Sequence, residues 1–127
     1  MGKIGLCICY DLRFPELPRA HFLNGAEILT YPAAFLYKTG AAHWEILLRA
    51  RAIENQCYVI AAAQTKSNDR TENYGHSIVI DPWGTIVHQM NEDLGSFVCE
   101  IDLSTVHKIR EKMPCKNHIR SDIFKII

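Results

Sequence analysis

The spacing of apolar residues along the chain predicts an alternation of short strands and helices. Near-continuous apolar runs, typical of strands that are covered on both faces, lie at residues 3–9, 27–31 and 57–64. Helices are predicted between these runs, over 14–23 and 43–55. In the second helix the apolar residues recur at i, i+3, i+4 and i+8 from Trp44, which forms one stripe that can face a sheet.

The second half of the chain predicts a polar loop over 65–74 and then a β-hairpin. The hairpin turn is the sequence DPWG, in which Gly84 suits a left-handed position. The hairpin strands are predicted at residues 76–81 and 85–90. A further strand is predicted over 96–101, and Ser104 is expected to cap a last helix that ends near Lys112.

These elements predict an α/β fold with one mixed sheet and helices on one face. Two of the strands, at 3–9 and 57–64, are apolar on both faces, while only about three helices are available to cover them. One sheet face would then stay bare, which a monomer seldom tolerates over several hundred Å². We expect this face to be covered by a second copy of the chain or by a preceding polypeptide.

Composition narrows the classes of function. The chain has 127 residues, with 14 Lys plus Arg against 14 Asp plus Glu, so its formal net charge is zero. This balance argues against nucleic acid as a partner, because such binding needs a dense cationic surface. No apolar run is long enough to span a membrane, and no signal-peptide cleavage region follows the N-terminus, so a cytoplasmic location is expected.

The cysteines suggest free thiols and no metal. There are five of them, an odd number without framework spacing, which favours reduced thiols in a cytosol-like compartment. Cys7 and Cys9 form the one close pair, and two ligands alone do not make a zinc site. No His recurs with a Cys at ligand spacing, so we expect neither a metal nor another cofactor. A thiol redox or metal module built on this pair is a remote alternative.

Cys9 is the main candidate for chemistry. It lies at the carboxyl end of the first predicted strand, where the chain turns sharply into a helix, and open α/β sheets place their active sites at such ends. A thiol at a tight turn, with the backbone N–H of Tyr10 as an oxyanion donor, resembles a nucleophile elbow. Judged on these features alone, a cysteine at a strand end is more often a packing residue than a nucleophile.

Four long motifs in order resemble the nitrilase superfamily, the carbon–nitrogen hydrolases. They read KIGLCICYDLRFPEL, GAEILTYPAAF, HWEILLRARAIENQCYVIAAAQ and YGHSIVIDPWGTIV, and together they cover nearly the whole chain. They are most similar to the branch that contains deaminated glutathione amidases. The resemblance implies an α-β-β-α sandwich built from a chain about twice this long, which would cover the bare sheet face.

The resemblance also implies a reaction. Family members use a Cys nucleophile, a Glu general base and a Lys that stabilises the tetrahedral intermediate, and Cys9 matches the nucleophile. The implied activity is amidase hydrolysis of a small 2-oxo-acid amide, such as deaminated glutathione, through a thioester. Residues 1–127 would be the C-terminal portion of one carbon–nitrogen hydrolase domain. The Glu and Lys positions lie upstream in the family and have no match here, so the chain alone is expected to be inactive or nearly so.

Other expectations concern the pocket and partners. Three residues follow the second predicted strand at the same edge as Cys9 and are candidates for the substrate-pocket wall: Tyr31, Ala34 and Phe35. The resemblance implies a homo-oligomer for the full-length protein. It leaves a mitochondrial location open, because a targeting segment would lie upstream. The alternative to an amidase is a non-catalytic truncated chain that acts as an association module.

Overall fold

The computed structural model describes residues 2–65 and 72–123, and within these ranges the strands form one five-stranded sheet. The strands are β1 (Ile4–Leu6), β2 (Ile28–Thr30), β3 (Tyr58–Ala61), β4 (Ile78–Ile80) and β5 (Ile86–Gln89). The helices are α1 (Glu16–Leu23), α2 (Tyr37–Asn55) and α3 (Leu103–Lys112), with short 3₁₀ turns at Cys9–Arg13 and Cys115–His118. The predicted α/β fold with a mixed sheet is therefore confirmed.

The strand order is β1-β2-β3-β4-β5, with β1 to β3 parallel and β4 and β5 antiparallel. The parallel hydrogen bonding continues beyond the end of β1. The Cys7 N–H donates to the Thr30 carbonyl at 3.1 Å, and the Cys9 N–H donates to the Pro32 carbonyl at 2.9 Å. The backbone of Cys9 is thus held at the carboxyl edge of the sheet, as the sequence predicted.

The main core lies between one sheet face and the helices α1 and α2. Leu29 and Val59 from the sheet are fully buried with Trp44, Leu48 and Ala52 from α2, the stripe that the sequence predicted. α3 packs elsewhere: Val106 is buried against Ile28 and Tyr58, whose side chains alternate with those of the main core. The third helix therefore covers one end of the opposite sheet face.

The rest of that opposite face is open near β1. Ile4 is 57% exposed, Leu6 71% and Ile8 63%, although all three are large and apolar. Successive residues of a strand face opposite sides of the sheet, and Gly5 faces the side on which α1 and Leu29 pack. Ile4 and Leu6 therefore face the opposite side. An uncovered apolar sheet face was expected from the sequence, and the described residues leave it so.

Several boundaries differ from those predicted. Residues 96–101 are not a strand, and the Phe97 ring packs against the His88 ring at 4.1 Å between ring centroids. The cap of α3 is Asp102 rather than Ser104, because the Asp102 carboxylate accepts a hydrogen bond from the Ser104 N–H at 2.9 Å. α2 begins six residues before the predicted start. Most of the predicted loop, residues 66–71, lies outside the described residues.

Candidate active site

Cys9 begins the 3₁₀ turn Cys9–Arg13 in an uncommon backbone conformation. Its φ is +42°, a left-handed value that non-glycine residues seldom adopt. Such conformations cost free energy and persist where the surrounding structure enforces them, often at functional sites. The half-buried Cys9 side chain therefore lies at a bend that the fold maintains at a cost.

Local hydrogen bonds close the turn around Cys9. The Asp11 N–H donates to the Ile8 carbonyl at 2.9 Å, and the Asp11 carboxylate accepts from the Ile8 N–H at 2.8 Å. The Phe14 N–H donates to the Asp11 carbonyl at 3.0 Å. Asp11 thus fixes the conformation of the turn.

The backbone N–H of Tyr10, the predicted oxyanion donor, has no partner in the turn. Among residues 2–65 and 72–123 it has no hydrogen-bond acceptor, in contrast to the N–H groups of Ile8, Cys9 and Asp11. The Tyr10 ring points outward, is 68% exposed and contacts the Phe14 ring edge to face. An unpaired N–H next to a thiol is the arrangement required of an oxyanion donor.

Cys9 lies on the wall of an open cleft of about 470 Å³. The cleft is lined by Ile8, Cys9, Pro32, Ala33, Ala34, Ala62, Ala63 and Gln64. These residues come from the carboxyl ends of β1, β2 and β3, the edge where α/β sheets bind ligands. Apart from the Cys9 thiol, this set contains no acidic or basic side chain. The cleft can hold a small, largely apolar reacting group against the thiol.

A second, more polar recess of about 220 Å³ adjoins this cleft, since Ala63 and Gln64 line both. Its wall includes His76, Asn91 and Asp93. His76 has a φ of +60°, its ring stacks on Tyr74 at 3.9 Å, and its Nδ1 lies 2.6 Å from the Tyr74 carbonyl. Sequence patterns did not single out this histidine, because its place depends on the fold of the 73–77 segment.

The three predicted pocket residues separate in the structure. Ala34 is exposed and lines the cleft with Cys9. Tyr31 and Phe35 alternate with it along the chain and are buried in the main core instead, where the Phe35 ring lies 5.0 Å from that of Trp44. Of the three predicted residues, only Ala34 lines this cleft, because the direction of each side chain depends on the pleat.

The other strand thiols are buried and held in their neutral form. Burial raises the pKa of Cys7, whose side chain lies in the main core beside Tyr31. Burial also raises the pKa of Cys57, to about 11. Both thiols are therefore packing residues.

Arg51 supports the turn from behind, a role that its sequence position did not reveal. Its side chain forms an ion pair with Glu54, three residues later on the same helix, at 2.7 Å. Arg51 is nevertheless buried, and its second guanidinium nitrogen donates to the carbonyl of Leu12 at 2.8 Å. Arg13 contributes a separate contact from the turn, to His43 Nδ1 at 2.9 Å.

Comparison with known proteins identifies the family to which this site belongs. The family model for carbon–nitrogen hydrolases matches residues 1–111, which is most of the chain. The chain belongs to the carbon–nitrogen hydrolase family. The resemblance to the nitrilase superfamily that was noted in the sequence motifs is thereby confirmed.

Several relatives are more than half identical to this chain, and two of them illustrate the similarity. Deaminated glutathione amidase of Bos taurus is 55% identical over 124 residues, which are 97% of this chain and 38% of that protein. The crystal structure of the Caenorhabditis elegans NitFhit protein is 54% identical with a TM-score of 0.94, over 97% of this chain and 30% of that one. The chain thus spans well under half the length of these relatives.

A more distant family member carries a labelled cysteine. It is a mutant of the amidase from Nesterenkonia sp. AN1, 27% identical with a TM-score of 0.73, over 93% of this chain and 44% of that chain. The acetamide moiety of fluoroacetamide is covalently added to its active site cysteine.

Two further features bear on cofactors and membranes. Within residues 2–65 and 72–123, no three His, Cys, Asp or Glu side chains come together as metal ligands would. Over the same ranges, no helix has both the length and the apolar character that crossing a membrane requires.

Proposed function

We propose that this chain carries the nucleophile of an amidase that hydrolyses linear carbon–nitrogen amide bonds. The Cys9 thiolate attacks the amide carbonyl carbon, and the Tyr10 N–H stabilises the negative oxygen of the tetrahedral intermediate. The C–N bond then breaks as the amide nitrogen takes up the proton that the thiol released, and ammonia leaves. Water hydrolyses the resulting thioester to a carboxylic acid and restores the Cys9 thiol. The observation that carries this proposal is Cys9 at a strained turn beside an unpaired N–H on an open cleft.

The proposed substrate is a small 2-oxo-acid amide such as deaminated glutathione. This choice is supported by the bovine relative, which is named deaminated glutathione amidase and is 55% identical. The apolar cleft would hold the reacting amide, and the adjoining recess with His76 and Asn91 would contact the polar remainder of the substrate. Such a division of roles is typical of small-molecule sites.

The chain alone is proposed to have little or no turnover. The residues that line the Cys9 cleft contain neither a carboxylate nor an ammonium group, whereas the resemblance implies a Glu base and a Lys from a preceding part of the fold. Loss of one oxyanion stabiliser costs about 10²–10³ in rate, and loss of a general base about 10²–10⁴. The testable property of this chain is therefore the reactivity of its nucleophile.

The first test measures alkylation of each thiol by iodoacetamide at pH 7, followed by peptide mass mapping. Cys9 is expected to react fastest, because its thiol lines an open cleft beside a free N–H and the amino end of a turn. Cys115, half-buried in the C-terminal segment, serves as the ordinary thiol for comparison. Cys7 and Cys57 are expected to react slowest, since both are buried.

The matched variants are Cys9→Ser, which should abolish the fast adduct, and Cys7→Ala, which should leave it unchanged. Fast labelling at Cys7 or Cys115, with Cys9 unmodified, would contradict the proposal. A test of turnover measures ammonia release from deaminated glutathione when the chain is mixed with the amino-terminal part of the bovine relative. Any activity restored in this way should vanish with Cys9→Ser.

The open apolar sheet face favours a second candidate function, association without catalysis. Ile4, Leu6 and Ile8 form an exposed apolar row, and such rows mark surfaces that other protein segments cover. In this alternative the chain binds to longer subunits or to its own copies, and Cys9 contributes nothing. Slow alkylation of Cys9 together with stable association would favour it over the amidase.

We also propose that the protein resides in a reducing, cytosol-like compartment. In its full-length form it is proposed to be a homo-oligomer. All five cysteines are unpaired, which agrees with a compartment that keeps thiols reduced. A reduced thiol at Cys9 is in addition a requirement of the proposed chemistry.

A further inference from the structure

Arg51 is a buried charge whose contacts lead to the Cys9 turn. It lies on α2 and is only 5% exposed. One terminal nitrogen donates to the Leu12 carbonyl at 2.8 Å and the other to the Glu54 carboxylate at 2.7 Å. Within the described residues its Nε has no partner. Burying a guanidinium with an unused donor is costly, so the contacts it does make are expected to matter.

The Leu12 carbonyl belongs to the same five-residue turn that begins with Cys9. The Leu12 side chain is fully buried, so the centre of this turn is pressed against the core. The hydrogen bonds of Asp11 join the turn only to residues next to it in sequence, Ile8 and Phe14.

The Pro32 carbonyl accepts a hydrogen bond only from Cys9, the first residue of the turn. A second bond to α2, from Arg13 to His43, holds the last residue of the turn. Within the described residues, Arg51 is the α2 side chain that hydrogen-bonds to the middle of the turn.

We propose that Arg51 is a positioning residue for the nucleophile. By fixing the Leu12 carbonyl against α2, it sets the rotation of the turn, and with it the direction of the Cys9 thiol and the Tyr10 N–H. This inference rests on the proposed function, because it assigns to Arg51 the support of that same thiol. The planar fork of Arg can hold a carbonyl and a carboxylate at once, which Lys does with less geometric control.

The same helix offers a matched control. Arg49 also donates to a backbone carbonyl, that of Gly84 at 2.9 Å, and also pairs with a glutamate, Glu45 at 3.4 Å. Its carbonyl partner lies in the β4–β5 hairpin turn rather than in the Cys9 turn. Arg49→Met therefore removes the same kinds of contact from α2 without touching the turn.

The experiment measures the pH dependence of Cys9 alkylation by iodoacetamide in the chain, with Cys115 as the internal reference. Arg51→Met is expected to lower the rate of Cys9 alkylation throughout this profile, by about threefold or more at pH 7, because the thiol loses its fixed direction and its aligned donor. Arg51→Lys should recover part of this loss, and Arg49→Met should keep the wild-type profile. Thermal melting of each variant is recorded alongside.

A variant that melts at lower temperature but keeps the wild-type Cys9 profile would show that Arg51 only stabilises the fold, and would overturn the inference. If Arg51→Met does not fold, Glu54→Gln serves as the second variant, because it removes the charge of the carboxylate that holds the Arg51 guanidinium and disturbs the core less. It should lower the Cys9 rate in the same way, and an unchanged profile would equally overturn the inference. Failure of the proposed function looks different: wild-type Cys9 would then react no faster than Cys115.

Discussion

At the scale of single residues, Cys7 and Cys9 show how the backbone conformation determines whether a thiol is buried or reaches the cleft. Cys7 continues the extended strand and points into the main core, where burial raises its pKa. Two residues later the left-handed backbone of Cys9 breaks the strand alternation and brings this residue to the cleft. Sequence motifs distinguished the two, and the structure supplies the physical cause.

The buried thiol of Cys57 gives a prediction about stability at high pH. Its pKa is raised from the ordinary value of 9.0 to about 11, mainly by burial. Between these values the unfolded thiol loses its proton before the folded one, so stability is intact below pH 9 and falls as the pH rises to 11. The expected loss is about 2–3 kcal/mol, measured by urea unfolding at several pH values.

The comparison variants are Cys57→Ala and Cys115→Ala. Cys57→Ala should make the decline between pH 9 and 11 shallower, although a slope remains because burial also raises the pKa of Cys7 and of Tyr31. Cys115→Ala should keep the wild-type slope. Equal slopes in the wild-type chain and in Cys57→Ala would contradict the assigned burial effect.

At the scale of elements, local pattern predicted the middle of each helix better than its ends. α2 starts at Tyr37 and includes Gly40, a residue type with a low helix propensity that disfavours a helix at this point. Any side chain at Gly40 would collide with Tyr74, whose Cβ lies 2.2 Å from the position of the missing Cβ. The glycine is thus explained by close packing against a segment more than thirty residues away. Its role could not be inferred from neighbouring residues.

Residues 96–101 failed as a predicted strand for a related reason. The alternation of Phe97, Cys99 and Ile101 resembles a half-buried strand, but a strand also requires a neighbouring edge with which to pair. In the structure Phe97 packs on the His88 ring, and Val98 is 99% exposed. This segment is held by side-chain packing. An alternating apolar pattern fits such a segment as well as a strand that is hydrogen-bonded into a sheet.

Arg110 is one of the residues that attach α3 to the fold, and it gives a prediction for this element. Arg110 donates to the carbonyls of Ala26 at 2.6 Å and Gln56 at 3.1 Å, and its guanidinium lies 5.0 Å from the centre of the Phe22 ring. Arg110→Met should destabilise the chain by about 1–3 kcal/mol, because these carbonyls lose a charged donor. Urea unfolding at pH 7 measures the change.

The control for α3 is Lys108→Met, an exposed position on the same helix. It should change stability by no more than about 0.5 kcal/mol, as surface substitutions usually do. Equal stabilities of Arg110→Met and Lys108→Met would show that Arg110 contributes nothing measurable to the attachment of the helix, and would contradict this prediction. Cys9 alkylation should be the same in both variants, since α3 lies away from the cleft lining.

At the scale of the whole molecule, the exposed row of Ile4, Leu6 and Ile8 predicts association. A lysine at Leu6, which is 71% exposed, should weaken self-association without loss of folding, because it places a charge at the centre of the row. Analytical ultracentrifugation of the wild-type chain and Leu6→Lys measures the effect, which is expected as a shift toward monomer.

Ile46→Lys is the matched control, since Ile46 is 70% exposed on α2, the helix that covers the other sheet face. It should leave the sedimentation of the chain unchanged. A shift toward monomer with Ile46→Lys, but not with Leu6→Lys, would place the association surface on the helices instead. A wild-type chain that is monomeric throughout would contradict the expectation for the sheet face.

The sequence by itself determined the α/β class, the central strands, the family and Cys9 as the candidate nucleophile. These features depend on local periodicity and on a contiguous motif, both of which are present in the order of residues. Tertiary structure alone decided that Ala34 lines the cleft while Tyr31 and Phe35 fill the core, and that Arg51 reaches the carbonyl of Leu12. Such relations depend on the pleat and on contacts between residues distant in the chain, and neither is encoded in local spacing.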